Sequence, residues 1–155
     1  MLYLVLKYLH VVGATVLGSG AGIAFFMLRA HLTGGALVIS AVSRIVVLAD
    51  LLFTASAVVA QPLTGIALVH VAGYSLTESW IVSSLVLYVV TGAFWLPVVW
   101  IQMQLRDLAS AAARNNKPLP PRYYTLFRIW FAFGFPAFGA VMAILWLMIA
   151  RPSLW

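Results

Sequence analysis

The sequence predicts an all-α, polytopic membrane protein that folds as an antiparallel four-helix transmembrane bundle. Of its 155 residues, 65% are apolar and only 8% are charged, whereas soluble globular chains are roughly 45–50% apolar and about 25% charged. The mean hydropathy is +1.08. A soluble domain of this length could not remove so much apolar surface from water. The composition therefore excludes an ordinary soluble protein, a disordered chain and a nucleic-acid-binding protein.

Four apolar stretches are each long enough to cross the hydrocarbon core of a bilayer, for which a helix needs about 20 residues. They take up most of the chain, so we expect a single transmembrane domain over residues 1–155. Gly34-Gly35 marks a turn after the first stretch, and the prolines of residues 118–121 mark a loop before the fourth. The predicted spans are residues 2–28, 45–74, 80–103 and 127–150.

The distribution of charge predicts how the bundle is oriented. The connection between the second and third spans carries only Glu78. The other two connections are basic, and basic connections stay in the cytoplasm, so both termini are predicted to lie outside. The excess of nine Lys and Arg over three Asp and Glu suits this orientation and anionic lipid headgroups. The basic residues of the two connections are Arg29, Arg44, Arg106, Arg114, Lys117 and Arg122.

Two histidines fall near the predicted outer end of the bundle. His10 lies in the first span and His70 in the second, and a neutral imidazole is a good ligand for haem iron or copper. Ala14, Gly18 and Gly22 follow His10 at intervals of four, so they share its helix face. This small-residue face can accept a flat macrocycle beside the ligand, or it can simply let a partner helix approach closely. The chain has no cysteine, so thiolate ligands are excluded.

Polar residues in the other spans allow both a structural and a functional interpretation. Asp50 and Arg128 fall at a similar depth near the cytoplasmic side, where they predict an ion pair between spans or, through Asp50, a proton path. His31 is predicted to lie in the inner headgroup region. Two helix faces are expected to point into the bundle: Asp50, Thr54, Ala57, Gln61 and Thr64 in the second span, and Ser84, Tyr88, Thr91, Trp95, Val98 and Gln102 in the third.

The first and last spans resemble those of HemJ, the membrane protoporphyrinogen oxidase family of many bacteria. Lys7-Tyr8-Leu9-His10, followed by a small-residue helix that ends at Arg29, resembles the first HemJ helix and its Lys-x-x-His motif. At the other end of the chain, the matching residues are Arg128, eight residues before Pro136, and Ala150-Arg151-Pro152. This chain lacks the Asn-Glu of the last HemJ helix, and its third span has no Lys or His. The resemblance therefore supports haem binding more than porphyrinogen oxidation.

Nearly the whole chain is similar to a family of uncharacterised bacterial four-helix integral membrane proteins, a domain of unknown function. Both families look related to the membrane part of CopD-type copper proteins. The resemblance places the chain in the bacterial inner membrane. The motifs that carry it are residues 6–11, 49–54, 61–65, 95–97 and 146–152.

The resemblance to HemJ implies haem b bound through His10, with Lys7 near a propionate or a porphyrinogen carboxylate. We predict His10 as the principal axial ligand, with Ala14 and Gly18 beside the ring. His70 is the candidate second ligand, but it points away from the polar face of its own helix unless Pro62 rotates the outer segment. The second position is otherwise open.

These residues lead to three hypotheses. The first is a haem-b-binding redox protein that carries electrons or acts as a HemJ-like oxidoreductase. The second is a non-catalytic membrane subunit or scaffold packed against a partner. The third is a copper or small-molecule transporter, which ranks last because copper transport usually needs Met or Cys ligands, and here Cys is absent and Met is scattered. Besides the lipid bilayer, a homodimer or a membrane redox partner is compatible with the sequence.

Overall fold

The computed structural model describes the backbone of residues 1–155 and every side chain except that of Thr33. Helices make up nearly all of the chain, and no strand occurs in the part described. In chain order, the elements are α1 Leu2–Gly18, α2 Gly20–Thr33, α3 Ala36–Ala49, a π-helical turn Asp50–Thr54, α4 Ala55–Ala72, α5 Ser79–Arg114 and α6 Pro121–Ala150.

Four helical stretches of the described residues are long and apolar enough to cross a membrane, which confirms the predicted all-α, four-span fold. The first combines α1 and α2, and the second combines α3, the π turn and α4. The third and fourth are α5 and α6. Their bounds are Leu2–Leu32, Ala36–Ala72, Ser79–Arg114 and Pro121–Ala150.

The third span continues well beyond the predicted residue 103. α5 contains 36 residues, or about 54 Å of helix, against a hydrocarbon core of about 30 Å. Residues 104–114 contain good helix formers and neither Gly nor Pro, so nothing ends the helix there. The connection that follows is therefore only residues 115–120. Pro121 begins α6, a position where its missing N–H breaks no helical bond.

The first two spans each contain an irregularity that a regular helix pattern does not predict. Ser19 interrupts the first span, and its hydroxyl donates to the carbonyl of Val16 at 2.6 Å. Gly and Ser next to each other are a common cause of such breaks. In the second span the π turn buries Asp50 and Thr54 and exposes Leu51, Leu52 and Phe53.

The helices pack in a chain of neighbours in which α1 contacts α4, α2 contacts α3, α3 contacts α5, and α5 contacts α6. We call the half of the bundle that holds both chain termini the terminal half, and the half that holds the two basic connections the loop half. The loop half contains a continuous core that includes Met27, Ile39, Leu105, Tyr123 and Phe127. The terminal half has a much smaller buried cluster, formed by Val69, Trp80, Ile81 and Leu147.

His31 joins two spans of the loop half. Its ring stacks on Phe127 with the ring centroids 3.6 Å apart and the planes 9° apart. Its Nδ1 also lies 3.3 Å from the Tyr123 hydroxyl. His31 was expected in the headgroup region from its position in the sequence, and the structure gives it a packing role between α2 and α6.

Candidate ligand cavity

A cavity of about 640 Å³ lies in the terminal half. It separates the α1–α4 pair from the α5–α6 pair, and side chains of all four helices line it. Most of its wall is apolar, and the polar side chains include Lys7, His10, Gln61, Tyr88 and Arg151. Ligand pockets measure roughly 300–1,000 Å³ and combine apolar walls with a few polar groups. The terminal cavity has the size and character of a ligand site.

Two glycines allow α1 and α4 to meet closely beside this cavity. A Cβ atom at Gly13 would collide with Nε2 of Gln61, and a Cβ atom at Gly65 would lie 3.2 Å from Cε1 of His10. Gln61 Nε2 uses the space at Gly13 to donate a hydrogen bond of 2.8 Å to the carbonyl of His10. The absence of a side chain at Gly65 therefore lets the His10 ring lie against α4.

The hydrogen bonds around His10 determine which of its ring nitrogens carries the proton. His10 Nδ1 lies 2.9 Å from Oγ1 of Thr64. The single hydroxyl proton of Thr64 is directed to the carbonyls of Ala60 at 2.8 Å and Gln61 at 3.2 Å. When the Thr64 hydroxyl donates to either carbonyl, its oxygen accepts from His10, and the His10 proton then lies on Nδ1. Nε2 keeps its lone pair, and no described residue donates to it.

The structure brings together four of the five residues that the sequence nominated for cofactor binding. His10, Lys7, Ala14 and Gly18 all line the terminal cavity. His70, near the end of α4, is exposed and does not line it. Pro62 lies within α4 without ending it and does not turn His70 towards the cavity.

Arg151 is a cavity residue to which the sequence analysis assigned no role. It follows the last residue of α6 in a left-handed conformation with φ of 47°. Its Nη1 donates to the Tyr74 hydroxyl at 2.6 Å, and its guanidinium lies over the Tyr74 and Trp80 rings at 5.4 and 5.8 Å. Its place at the end of the fourth span, on the same side of the bundle as Lys7, was the signal that could have identified it.

The predicted ion pair between Asp50 and Arg128 is wrong. Asp50 is buried, accepts a 2.8 Å hydrogen bond from Thr54 Oγ1 and lies beside the side chain of Gln102. Arg128 is exposed, because the buried face of α6 passes through Phe127 and Trp130 on either side of it. A basic residue at a matching depth was not enough, since the helix phase turns it away from the bundle.

The bundle-facing polar faces of the second and third spans are confirmed. Asp50, Thr54, Ala57 and Gln61 are buried in the second span. Ser84, Thr91 and Gln102 are buried in the third.

Within the described residues, no three His, Cys, Asp or Glu side chains gather into a group that could hold a metal ion by themselves.

The comparisons with known proteins identify the family. A family model described as a predicted integral membrane protein (DUF2269) matches residues 4–152. No curated protein and no solved structure matches the chain. The resemblance to HemJ and CopD thus stays a prediction from the residues quoted above. The match covers almost the entire chain, which belongs to the DUF2269 family of integral membrane proteins.

Proposed function

We propose that this chain is a haem-b-binding membrane protein with a redox role, as an electron carrier or a HemJ-like oxidoreductase. The observation that carries the proposal is the hydrogen bond from His10 Nδ1 to Thr64. A histidine that binds a metal through one nitrogen almost always donates the other N–H to a protein acceptor. His10 has this arrangement, with Nε2 free to act as the ligand.

The terminal cavity supports the proposal through its size and its position. Its volume of about 640 Å³ lies well within the range for a bound small molecule. Ala14 and Gly18 follow His10 along the cavity wall and leave space next to its ring. A bound haem b would supply a one-electron redox centre, and the apolar walls would exclude water from it.

Two cations at the rim suit the carboxylates of such a cofactor. Lys7 and Arg151 both line the terminal cavity and both are exposed. Each can pair with a propionate, since charge-assisted hydrogen bonds to carboxylates are among the stronger polar contacts in proteins. Arg151 also donates a hydrogen bond to the Tyr74 hydroxyl, and Lys7 Nζ lies 5.8 Å from the centre of the Tyr3 ring.

The proposal gives the iron a single protein ligand. His70 is exposed and away from the cavity, so we leave it out of the ligand set. A second coordination position without a histidine is compatible with binding of a small molecule, which favours an enzymatic role over simple electron transfer.

We further propose that the chain lies in a bacterial inner membrane with its loop half towards the cytoplasm. Arg44, Arg106, Arg114, Lys117 and Arg122 cluster at that end, and basic connections favour the cytoplasmic side. Reporter fusions after residue 117 and after residue 155 test this orientation. A reporter at residue 117 that is active only outside the cell would contradict it.

The absorption spectrum of the full chain, purified in detergent from haem-replete cells, tests the cofactor. We expect a Soret band with sharp α and β bands on reduction. His10→Ala should remove these bands although the protein still inserts into the membrane. His70→Ala is the matched control and should keep them. A colourless wild-type preparation would contradict the proposal and favour a non-catalytic membrane subunit.

A further inference from the structure

The formal charges in the wall of the terminal cavity are all positive. Lys7 and Arg151 lie in this wall, and no Asp or Glu of the described residues does. The salt bridge that the described residues form joins Arg106 to Asp107 in the loop half, so neither cation of the cavity has a carboxylate partner there. An apolar cavity with cations of this kind suits a ligand that has an apolar body and an anionic end.

Arg151 has a backbone conformation that few side chains adopt. It ends α6 with φ of 47°, in the left-handed region where a helix end usually has glycine. Gly73 ends α4 in the same region, with φ of 74°. A residue other than glycine keeps such a conformation where the surrounding structure holds it, and the guanidinium of Arg151 makes several of the contacts that hold it.

Tyr74 and Trp80 set the position of this guanidinium. The Trp80 side chain is buried, and the Tyr74 ring meets it edge-on, with the centroids 5.6 Å apart and the planes at 89°. The guanidinium lies over both rings at cation–π distance. The Tyr74 hydroxyl also accepts the 2.6 Å hydrogen bond from Nη1, so Tyr74 fixes the direction of the guanidinium as well as its place.

The Arg151 guanidinium has donors left for a ligand. An arginine has five N–H groups. One of them donates to Tyr74, and that of Nε donates to the carbonyl of Met148 at 3.4 Å. The described residues accept from no other N–H of Arg151, so three remain, on Nη1 and Nη2. N–H groups on these two nitrogens can bind both oxygens of one carboxylate.

We infer that the terminal cavity selects its ligand by a free carboxylate, which Arg151 binds while Tyr74 holds Arg151 in position. The inference rests on the proposed function, in which the ligand is haem b and the carboxylate is a propionate. It adds a preference for the acid over its esters and makes Tyr74 a positioning residue. A methyl ester keeps the apolar body of the ligand but has no negative charge, so it loses the charge-assisted contact.

Titration of the full chain with haem b and with haem b dimethyl ester, in nanodiscs of a zwitterionic phospholipid, tests the inference. The readout is the ratio of the two affinities, because a general loss of fold lowers both. We expect the wild type to bind the acid at least about 10-fold more tightly, as for a hydrogen bond to a charged group. Tyr74→Phe keeps the ring and should lower the ratio by about 3- to 10-fold. Arg151→Gly suits the left-handed backbone and should lower it by about 10-fold or more.

Tyr8→Phe is the matched control, because Tyr8 is exposed on α1 and does not line the cavity. It should keep the wild-type ratio. The inference is overturned if Tyr74→Phe lowers both affinities equally, if Arg151→Gly leaves the ratio unchanged, or if the wild type binds the ester as tightly as the acid. A wild type that binds neither form contradicts the proposed function itself, and the inference falls with it.

Discussion

The two halves of the bundle have similar apolar side chains but use them differently. In the loop half, Met27, Ile39, Leu105 and Tyr123 are almost completely buried and form one continuous core. In the terminal half, the α1–α4 pair and the α5–α6 pair stand apart around a cavity of about 640 Å³. The loop half therefore holds the helices together, and the terminal half provides space for a ligand.

The difference shows why a cavity can persist inside a membrane protein. Between transmembrane helices there is little hydrophobic force to close a gap, because lipid tails are as apolar as the side chains themselves. Association depends on close packing and on hydrogen bonds across helices. The α1–α4 pair has both, through Gly13, Gly65 and the Gln61 and Thr64 hydrogen bonds. The α1–α4 pair therefore stays together with few contacts to the α5–α6 pair, among them the packing of Val69 in one cluster with Trp80, Ile81 and Leu147.

Truncation of one leucine in each half is the strongest test of this contrast. Leu105 is fully buried in the loop half, so Leu105→Ala should destabilise the protein by about 2 kcal/mol or more. Leu85 lines the terminal cavity and is 40% exposed, so Leu85→Ala should cost less than about 1 kcal/mol. Reversible unfolding in mixed micelles measures both. Equal losses would mean that the two halves are equally packed.

Removal of the Thr64 hydroxyl sharpens the role assigned to the terminal half. Thr64→Val keeps the shape of the side chain but leaves the N–H of His10 Nδ1 without its acceptor. We expect haem affinity to fall by about 10- to 100-fold, as for other outer partners of metal ligands. Thr64→Ser should restore most of it. If haem titration gives wild-type affinity for Thr64→Val, Thr64 does not orient the ligand.

A buried hydrogen bond in the loop half gives the smallest expected effect. The hydroxyls of Ser40 and Ser110 lie 2.8 Å apart and link α3 to α5. Such bonds between membrane helices average about 0.6 kcal/mol, and Ser110→Ala should destabilise the protein by about that amount. Ser83→Ala, on the same helix, is the control. A double-mutant cycle with Ser40→Ala that gives no coupling would contradict a stabilising bond.

The sequence was most informative where a feature repeats along a helix. Four long apolar runs predicted the four spans, and the spacing of Asp50, Thr54 and Gln61 predicted the buried face of the second span. The same reasoning placed Lys7, His10, Ala14 and Gly18 on one wall, which is where the terminal cavity lies. These features depend on helix periodicity and length, which neighbouring helices do not change.

What the sequence could not predict depends on contacts between helices. Asp50 and Arg128 share a depth, but only the packing of α6 shows that Arg128 faces outward. The proton of His10 is assigned by Thr64, a residue 54 positions away. The Ser19 break and the extension of α5 to Arg114 depend on local sequence. The same local residues are also compatible with an uninterrupted first span and with an earlier end of α5, so the sequence alone did not predict either feature.

The π turn has a consequence for which changes in chain length this family can accept. A π turn holds one residue more than an α-helical turn, so loss of a single residue from Asp50–Thr54 would return the span to a regular helix. The residues after it would keep their present faces, because the π turn accommodates the extra residue within a single turn. Thr64 and Gly65 would stay against the His10 ring. Loss of one residue from the regular start of α4 would instead rotate everything after it by about 100° and shift it by about 1.5 Å, so the chain can shorten at Asp50–Thr54 without moving the wall of the terminal cavity but cannot shorten just after it.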